Sequence, residues 1–95
     1  MIYVYAITEG SGPGVDAEGV DGTAVRMLDH DGLGAAFSVI DGEQPPASTA
    51  ALLTHERVVE ALMRQRAVLP ARFGTTAGSE EELRRLIDAR GPALR

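Results

Sequence analysis

His55 is the side chain in this sequence best suited to acid–base chemistry, because an imidazole exchanges protons near neutral pH. A general base also needs a nucleophile and an orienting acid within reach, and its neighbours along the predicted helix do not face it. A buried histidine that donates to a backbone carbonyl is therefore the favoured interpretation. The alternative is a small enzyme of the cofactor-free oxygenase kind, with His55 in a cavity between sheet and helices. Tyr3 or Tyr5, together with Arg72, would supply its other groups.

A glycine-rich stretch, GSGPG at residues 10–14, follows the first predicted strand, as a phosphate-binding loop would. The dinucleotide-binding pattern requires a further glycine at position 15, where this sequence has valine, and a helix immediately afterwards. Asp16 and Glu18 would also repel a phosphate group. Residues 9–22 are therefore predicted to form a mobile loop, and no cofactor is expected.

Asp29, His30 and Asp31 are three consecutive residues that could ligate a metal ion. Side chains alternate in direction along a strand, so consecutive positions do not converge on one ion. Asp31 and Gly32 lie between two β-like runs, and an Asp-Gly pair there is typical of a tight hairpin turn. The sequence therefore predicts a solvated hairpin turn and no metal site.

The run VLPARFGT at residues 68–75 breaks a local rule, because an apolar, strand-like segment contains a proline and then an arginine. If the segment is a strand, Phe73 points to the core and Arg72 to the opposite face. Arg72 then either forms a structural ion pair, with Glu56, Glu60 or a neighbouring strand, or contacts a partner, since arginine is enriched in interface cores.

Composition restricts the classes of function. The chain has 95 residues, a net charge of −5 and nine arginines without a lysine, and this acidic balance argues against binding nucleic acid or an anionic membrane surface. It contains no cysteine, which excludes disulfides and favours the cytoplasm. The short apolar N-terminus lacks the basic leader of a signal peptide.

Hydrophobic periodicity predicts the elements. Strands are expected at residues 2–8, 25–28 and 33–40, a helix from Ser48 or Thr49 to about Arg66, a strand within residues 68–75, and a helix after a capping box formed by Ser79 and Glu82. The first strand is apolar on both faces, which suits a central position. The order β-β-β-α-β-α predicts one α+β domain over residues 1–95. We expect a ferredoxin-like variant in which two helices cover one face of a small antiparallel sheet and the glycine loop replaces the first crossover helix.

Three motifs together carry a family resemblance. They are the opening YVYAI at residues 3–7, the helical HERVVE at residues 55–60, and VLPARFGT at residues 68–75 followed by SEE at 79–81. In this order they resemble the gas vesicle protein L/F family across nearly the whole chain. The specific part of the resemblance is HERVVE at residues 55–60 followed by VLPARFGT at residues 68–75.

The resemblance implies a non-enzymatic protein, associated with the gas vesicle, that binds the small and very hydrophobic shell protein and assists its assembly or limits its aggregation. Other gas vesicle accessory proteins are further implied partners. The family's helical C-terminal part has no counterpart in these 95 residues. The residues expected to contact a partner are Tyr3, Tyr5, Leu69, Pro70, Arg72, Phe73, Gly74 and Thr75, with His55 as a structural or site-adjacent residue. A bare dimerisation module, in which the sheet pairs with a second copy, is a third hypothesis.

Overall fold

The computed structural model describes residues 1–10, 12, 14–42 and 47–94. Its strands are β1 (Ile2–Glu9), β2 (Arg26–His30), β3 (Leu33–Val39), β4 (Val68–Pro70) and β5 (Thr76–Ala77). Its α-helices are α1 (Thr49–Met63) and α2 (Glu80–Arg90), and short 3-10 turns occupy Val20–Gly22 and Gly91–Leu94. The elements follow the predicted order, with β5 as an additional short strand.

β1 is the central strand of an antiparallel sheet with the order β2-β3-β1-β4. One edge of β1 pairs with β3 along most of its length. The other edge pairs with β4 at Ala6–Thr8 and with β5 at Ile2 and Tyr3. Residues 71–75 therefore connect two pieces of one interrupted edge strand. The predicted central position of the first strand is confirmed.

The two faces of the sheet carry separate cores. Tyr3 and Tyr5 point to the face covered by α1, through residues such as Leu62, while the alternate residue Val4 points to the face covered by α2. The α+β class and the antiparallel sheet are confirmed, but the expectation that both helices lie on one face is wrong. The physical reason is already present in β1, since a strand that is apolar on both faces needs a covering layer on each side.

Local signals fixed the turn between β2 and β3 and the start of each helix. Asp31 and Gly32 both have positive φ angles, of 52° and 78°, as a type I′ hairpin turn requires. Ser48 caps α1 and Ser79 caps α2 by accepting hydrogen bonds from backbone N–H groups of the first turn. α1 ends at Met63, earlier than predicted. In the part of the chain that the structure describes, no helix is long and apolar enough to cross a membrane.

The loop before β2 is anchored to the face that α1 covers. The Tyr5 hydroxyl lies 2.7 Å from Ser38 Oγ and accepts a hydrogen bond from the Val20 N–H at 2.9 Å. Ser38 Oγ in turn donates to the Ala24 carbonyl at 2.8 Å. Val15 and Val20 are buried in the same core. The described part of this loop therefore lies where the crossover helix was expected to be replaced, but it is anchored to the sheet and not, as predicted, a mobile loop. Ser11 and Pro13 of the glycine motif lie outside the described residues.

Candidate functional site

Tyr3, His55 and the connection between β4 and β5 form one buried hydrogen-bond chain. His55 Nε2 lies 3.0 Å from the Ala71 carbonyl oxygen, which can only accept, so Nε2 carries the proton. Nδ1 of the neutral ring is then an acceptor, and the Tyr3 hydroxyl donates to it at 2.8 Å. The Tyr3 oxygen accepts from the Gly74 N–H at 3.3 Å. Tyr3 of β1 and His55 of α1 thus hydrogen-bond to the backbone at both ends of residues 71–74.

The electrostatics of this pair suit a structural role. Burial lowers the pKa of His55 below its ordinary value, although the hydrogen bond to Ala71 acts in the opposite sense. Burial also raises the pKa of Tyr3 above its ordinary value. Both side chains are therefore neutral at pH 7, and each satisfies the other. This agrees with the interpretation of His55 as a buried histidine that donates to a backbone carbonyl.

Residues 72–75 form a turn that leaves the sheet. The Thr75 N–H donates to the Arg72 carbonyl at 3.0 Å, and Gly74 has a φ of 90°, which is typical of a type II turn. The predicted strand within residues 68–75 is present as β4, but it ends at Pro70, so the condition that Arg72 and Phe73 lie in a strand is not met. The turn interrupts the strand because only glycine adopts this φ without strain.

Phe73 lies on the α1 side of this turn. Its ring packs edge-on against the rings of Tyr3 and His55, with centroids 6.3 and 5.8 Å away. Phe73 is nevertheless 36% exposed, so it forms part of the surface and not, as expected, of the core. Arg72 is exposed and lines a cavity on the other side, with Leu86 of α2. Among the described residues it forms no ion pair with Glu56 or Glu60, contrary to one of its two interpretations.

An open groove of about 510 Å³ lies between α1 and residues 70–73. We call it the α1 groove; its apolar lining is Leu52, Val59, Pro70, Ala71 and Phe73, its acidic residues are Glu56 and Glu60, and His55 also lines it. The helical period of the apolar residues predicts that Leu52 belongs to the same inward stripe as Ala51 and His55, but Leu52 is 39% exposed. The sequence feature that indicates this exposure is the width of the apolar stripe of the helix, which is greater than one sheet face can cover.

The predicted contact residues divide between surface and interior. Pro70, Arg72 and Phe73 are exposed, and Leu69, Gly74 and Thr75 are half-buried. Tyr3 and Tyr5 have no exposed surface, so in this structure they offer none for direct contact with a partner. Tyr3 supports this surface through its hydroxyl, which accepts the Gly74 N–H, and Tyr5 supports it through its backbone carbonyl, which accepts the Ala71 N–H.

The groups named in the oxygenase alternative lie in different places among the described residues. The α1 groove, which His55 lines, has no tyrosine in its lining, and both tyrosine rings are packed in the core. Arg72 lines a different cavity from His55. The three groups named for catalysis are thus not brought together around a substrate-sized space.

One group of potential metal ligands was assembled only by the fold. His30 and Asp31 meet Asp88 of α2, with their ligand atoms within 4.8 Å of one another. His30 Nε2 lies 2.9 Å from a carboxylate oxygen of Asp88. Both carboxylates are exposed, and the contact is explained by that hydrogen bond, which joins the hairpin tip to α2. Asp29, the third residue considered in the sequence, is not part of the group.

The comparisons with known proteins agree with the fold. The family model described as gas vesicle synthesis protein GvpL/GvpF matches residues 1–95. The crystal structure of the gas vesicle protein GvpF from Anabaena sp. PCC7120 is similar with a TM-score of 0.83 and 31% identity, covering 99% of this chain and 40% of that one. The corresponding structure from Microcystis aeruginosa has a TM-score of 0.78 and 26% identity, covering 98% and 40%.

No curated protein matches the chain at a significant level. The chain spans about 40% of the length of the solved relatives. The family match extends from the first residue to the last and agrees with the structural similarity. This chain therefore belongs to the GvpL/GvpF family of gas vesicle synthesis proteins.

Proposed function

We propose that this chain is the client-binding part of an accessory protein of gas vesicle formation. In this proposal it binds the hydrophobic vesicle shell protein in the cytoplasm or at the vesicle, and it assists assembly or limits aggregation. Other accessory proteins of the vesicle are additional candidate partners. The proposal is for a binding protein and not an enzyme, because the family is one of gas vesicle proteins and the described residues show no assembled catalytic unit.

The observation that carries the proposal is the α1 groove. Leu52 and Phe73 are large apolar side chains that stay partly exposed along it, and Pro70, which is exposed, and Val59, which is buried, also line it. An apolar groove on an otherwise acidic protein suits a helix or strand of a hydrophobic client. Glu56 and Glu60 hydrate the groove when no client is bound. The net charge of −5 helps to keep the complex with a hydrophobic client soluble.

The Tyr3–His55 pair gives the groove a fixed shape. Pro70 and Phe73 belong to the segment that these two buried side chains hold. A preformed groove loses less conformational entropy on binding than one that must be ordered first. We therefore assign contact with the client to the groove and positioning to the buried pair.

Co-expression with the gas vesicle shell protein tests this proposal. The chain carries an affinity tag, and both the captured shell protein and its soluble fraction are measured. Leu52→Ser and Phe73→Ala remove apolar surface from the groove. Leu53→Ser is the matched control, since Leu53 is 47% exposed on the same helix but does not line the groove. Circular dichroism verifies that each variant is folded.

We expect wild type and Leu53→Ser to capture and solubilise the shell protein, and both groove variants to lose most of that capture. Equal capture by all four chains would overturn the assignment to the groove. A folded wild-type chain that captures nothing would overturn the proposed function of this part of the protein. A second copy is another potential occupant, and dimers in light scattering that Leu52→Ser abolishes would replace the client with a self-association role.

A further inference from the structure

A second, smaller cavity lies on the opposite face of the sheet from the α1 groove. We call it the arginine cavity; its volume is about 60 Å³, and it lies between β4 and α2. Ile7 is buried, Leu69 and Leu86 are half-buried, and all three line it. The two charged residues that line it, Arg72 and Arg90, are exposed. The cavity thus combines apolar side chains with two exposed arginines.

The charges around this cavity are unbalanced. It is lined by two arginines and by no acidic residue. Neither Arg72 nor Arg90 forms a salt bridge within the described ranges, whereas Arg84 and Arg85 of the same helix α2 pair with glutamates one turn away. This is notable in a chain whose net charge is −5. Two like charges beside one cavity repel each other, and an anion between them removes that repulsion.

The size of the cavity limits what it can hold. On this measure one water needs about 10–15 Å³, so the space accommodates a group of a few heavy atoms. A guanidinium presents a planar fork of donors that matches a carboxylate in two parallel hydrogen bonds. Leu69 and Leu86 would at the same time cover a short aliphatic group and exclude water from it.

We propose that the arginine cavity binds a small aliphatic carboxylate, with the aliphatic group against Leu69 and Leu86 and the carboxylate between Arg72 and Arg90. Such a group is presented by the C-terminal residue of a polypeptide, such as leucine, or by a free short-chain acid. The site differs from the proposed client groove in its side chains, since Arg72, Leu86 and Arg90 line only the arginine cavity, although Pro70 and Ala71 line both. Arg72 thereby receives a binding role separate from that of its neighbour Phe73.

Titration of the ¹⁵N-labelled chain followed by backbone amide shifts tests this proposal. N-acetyl-leucine represents a polypeptide C-terminus, and isovalerate represents a free acid. N-acetyl-leucinamide has the same aliphatic group without the charge. We expect saturable shifts at Leu86 and Arg90, which line this cavity and not the α1 groove, with at least one carboxylate, and affinity for the amide weaker by about tenfold or more. The tighter of the two carboxylates identifies the source.

Substitutions then localise the site. Arg72→Gln and Arg90→Gln each remove one cation and are expected to weaken carboxylate binding by about tenfold. Arg85→Gln is the matched control, since Arg85 is exposed on the same helix and does not line the cavity. Absence of saturable shifts, equal affinity for acid and amide, or unchanged affinity in both cavity variants would each overturn the proposal. None of these results depends on capture of the shell protein.

Discussion

The Tyr3 hydroxyl and Nδ1 of His55 lie 2.8 Å apart, although 52 residues separate them along the chain. The bond joins the central strand to α1, and His55 passes the connection on to the Ala71 carbonyl. This pair thus hydrogen-bonds to the backbone of residues 71 and 74, in addition to the bond from the Ala71 N–H to the Tyr5 carbonyl. Residues 71–74 of the VLPARFGT motif, which include the exposed Arg72 and Phe73, are therefore hydrogen-bonded to buried side chains of the other two motifs.

Replacing Tyr3 by phenylalanine should loosen the turn at Gly74. The change leaves His55 Nδ1 without its donor and the Gly74 N–H without its acceptor, and a buried unsatisfied polar group costs about 1–3 kcal/mol. We expect a lower midpoint of urea unfolding and faster amide hydrogen exchange at Gly74. Tyr5→Phe is the control, because its hydroxyl serves Val20 and Ser38 instead. Faster exchange at Gly74 in both variants would contradict the separation of the two networks.

His55 should make the free energy of unfolding depend on pH. Burial holds its pKa in the folded protein below the ordinary value of 6.5, so the unfolded chain binds more protons as pH falls below that value. Stability is then complete above the unfolded pKa and declines as the pH falls from there towards the folded pKa. The slope from one site cannot exceed about 1.4 kcal/mol per pH unit.

Urea unfolding between pH 5 and 8 measures this dependence. His55→Gln should be less stable at pH 8 and should lose the decline in this range, because no imidazole remains at that site. His30→Gln removes the other histidine of the chain and serves as the control. If the decline persisted in His55→Gln and vanished in His30→Gln, the assignment to the buried ring would be wrong.

Alanine at Gly19 should destabilise the fold through a direct clash. A Cβ at this position would meet the hydroxyl groups of Tyr5 and Ser38, which are both buried and hydrogen-bonded to each other. Overpacking of this kind typically costs about 1–3 kcal/mol. Gly14→Ala is the matched control in the same loop, since its Cβ would make ordinary contact with Met27. Thermal unfolding compares the two variants, and equal melting temperatures would refute the clash.

Loss of the cap of α2 should have a measurable and local effect. Ser79 Oγ accepts the Glu82 N–H at 3.2 Å, and replacing a serine cap by alanine costs about 1 kcal/mol. We expect Ser79→Ala to lower the free energy of unfolding by that amount and to leave capture by the α1 groove intact, because α2 lies on the other face. Thr76→Ala, at an exposed position of β5, is the control for a change that removes a hydroxyl without a cap. A loss of capture in Ser79→Ala would show that the two faces are coupled.

The sequence by itself determined the features that depend on neighbouring residues. The Asp31–Gly32 turn follows from their tolerance of positive φ, the start of α2 from the hydroxyl of Ser79, and the central position of β1 from its two apolar faces. The order of the motifs also identified the family, as the family match over the whole chain confirms. Each of these signals is encoded within a few residues or in the linear order of the chain.

Only the tertiary structure decided which residues meet. The two amphipathic helices lie on opposite faces of the sheet. The sequence could not predict this, because periodicity gives the apolar side of a helix but not the surface that it covers. The interruption of the edge strand at Arg72 sends that side chain towards α2 and leaves Phe73 beside His55. The Tyr3–His55 bond, the α1 groove and the arginine cavity all arise from contacts between segments distant in sequence. Such contacts are selected by the packing of the complete chain, for which no local stretch of residues carries the information.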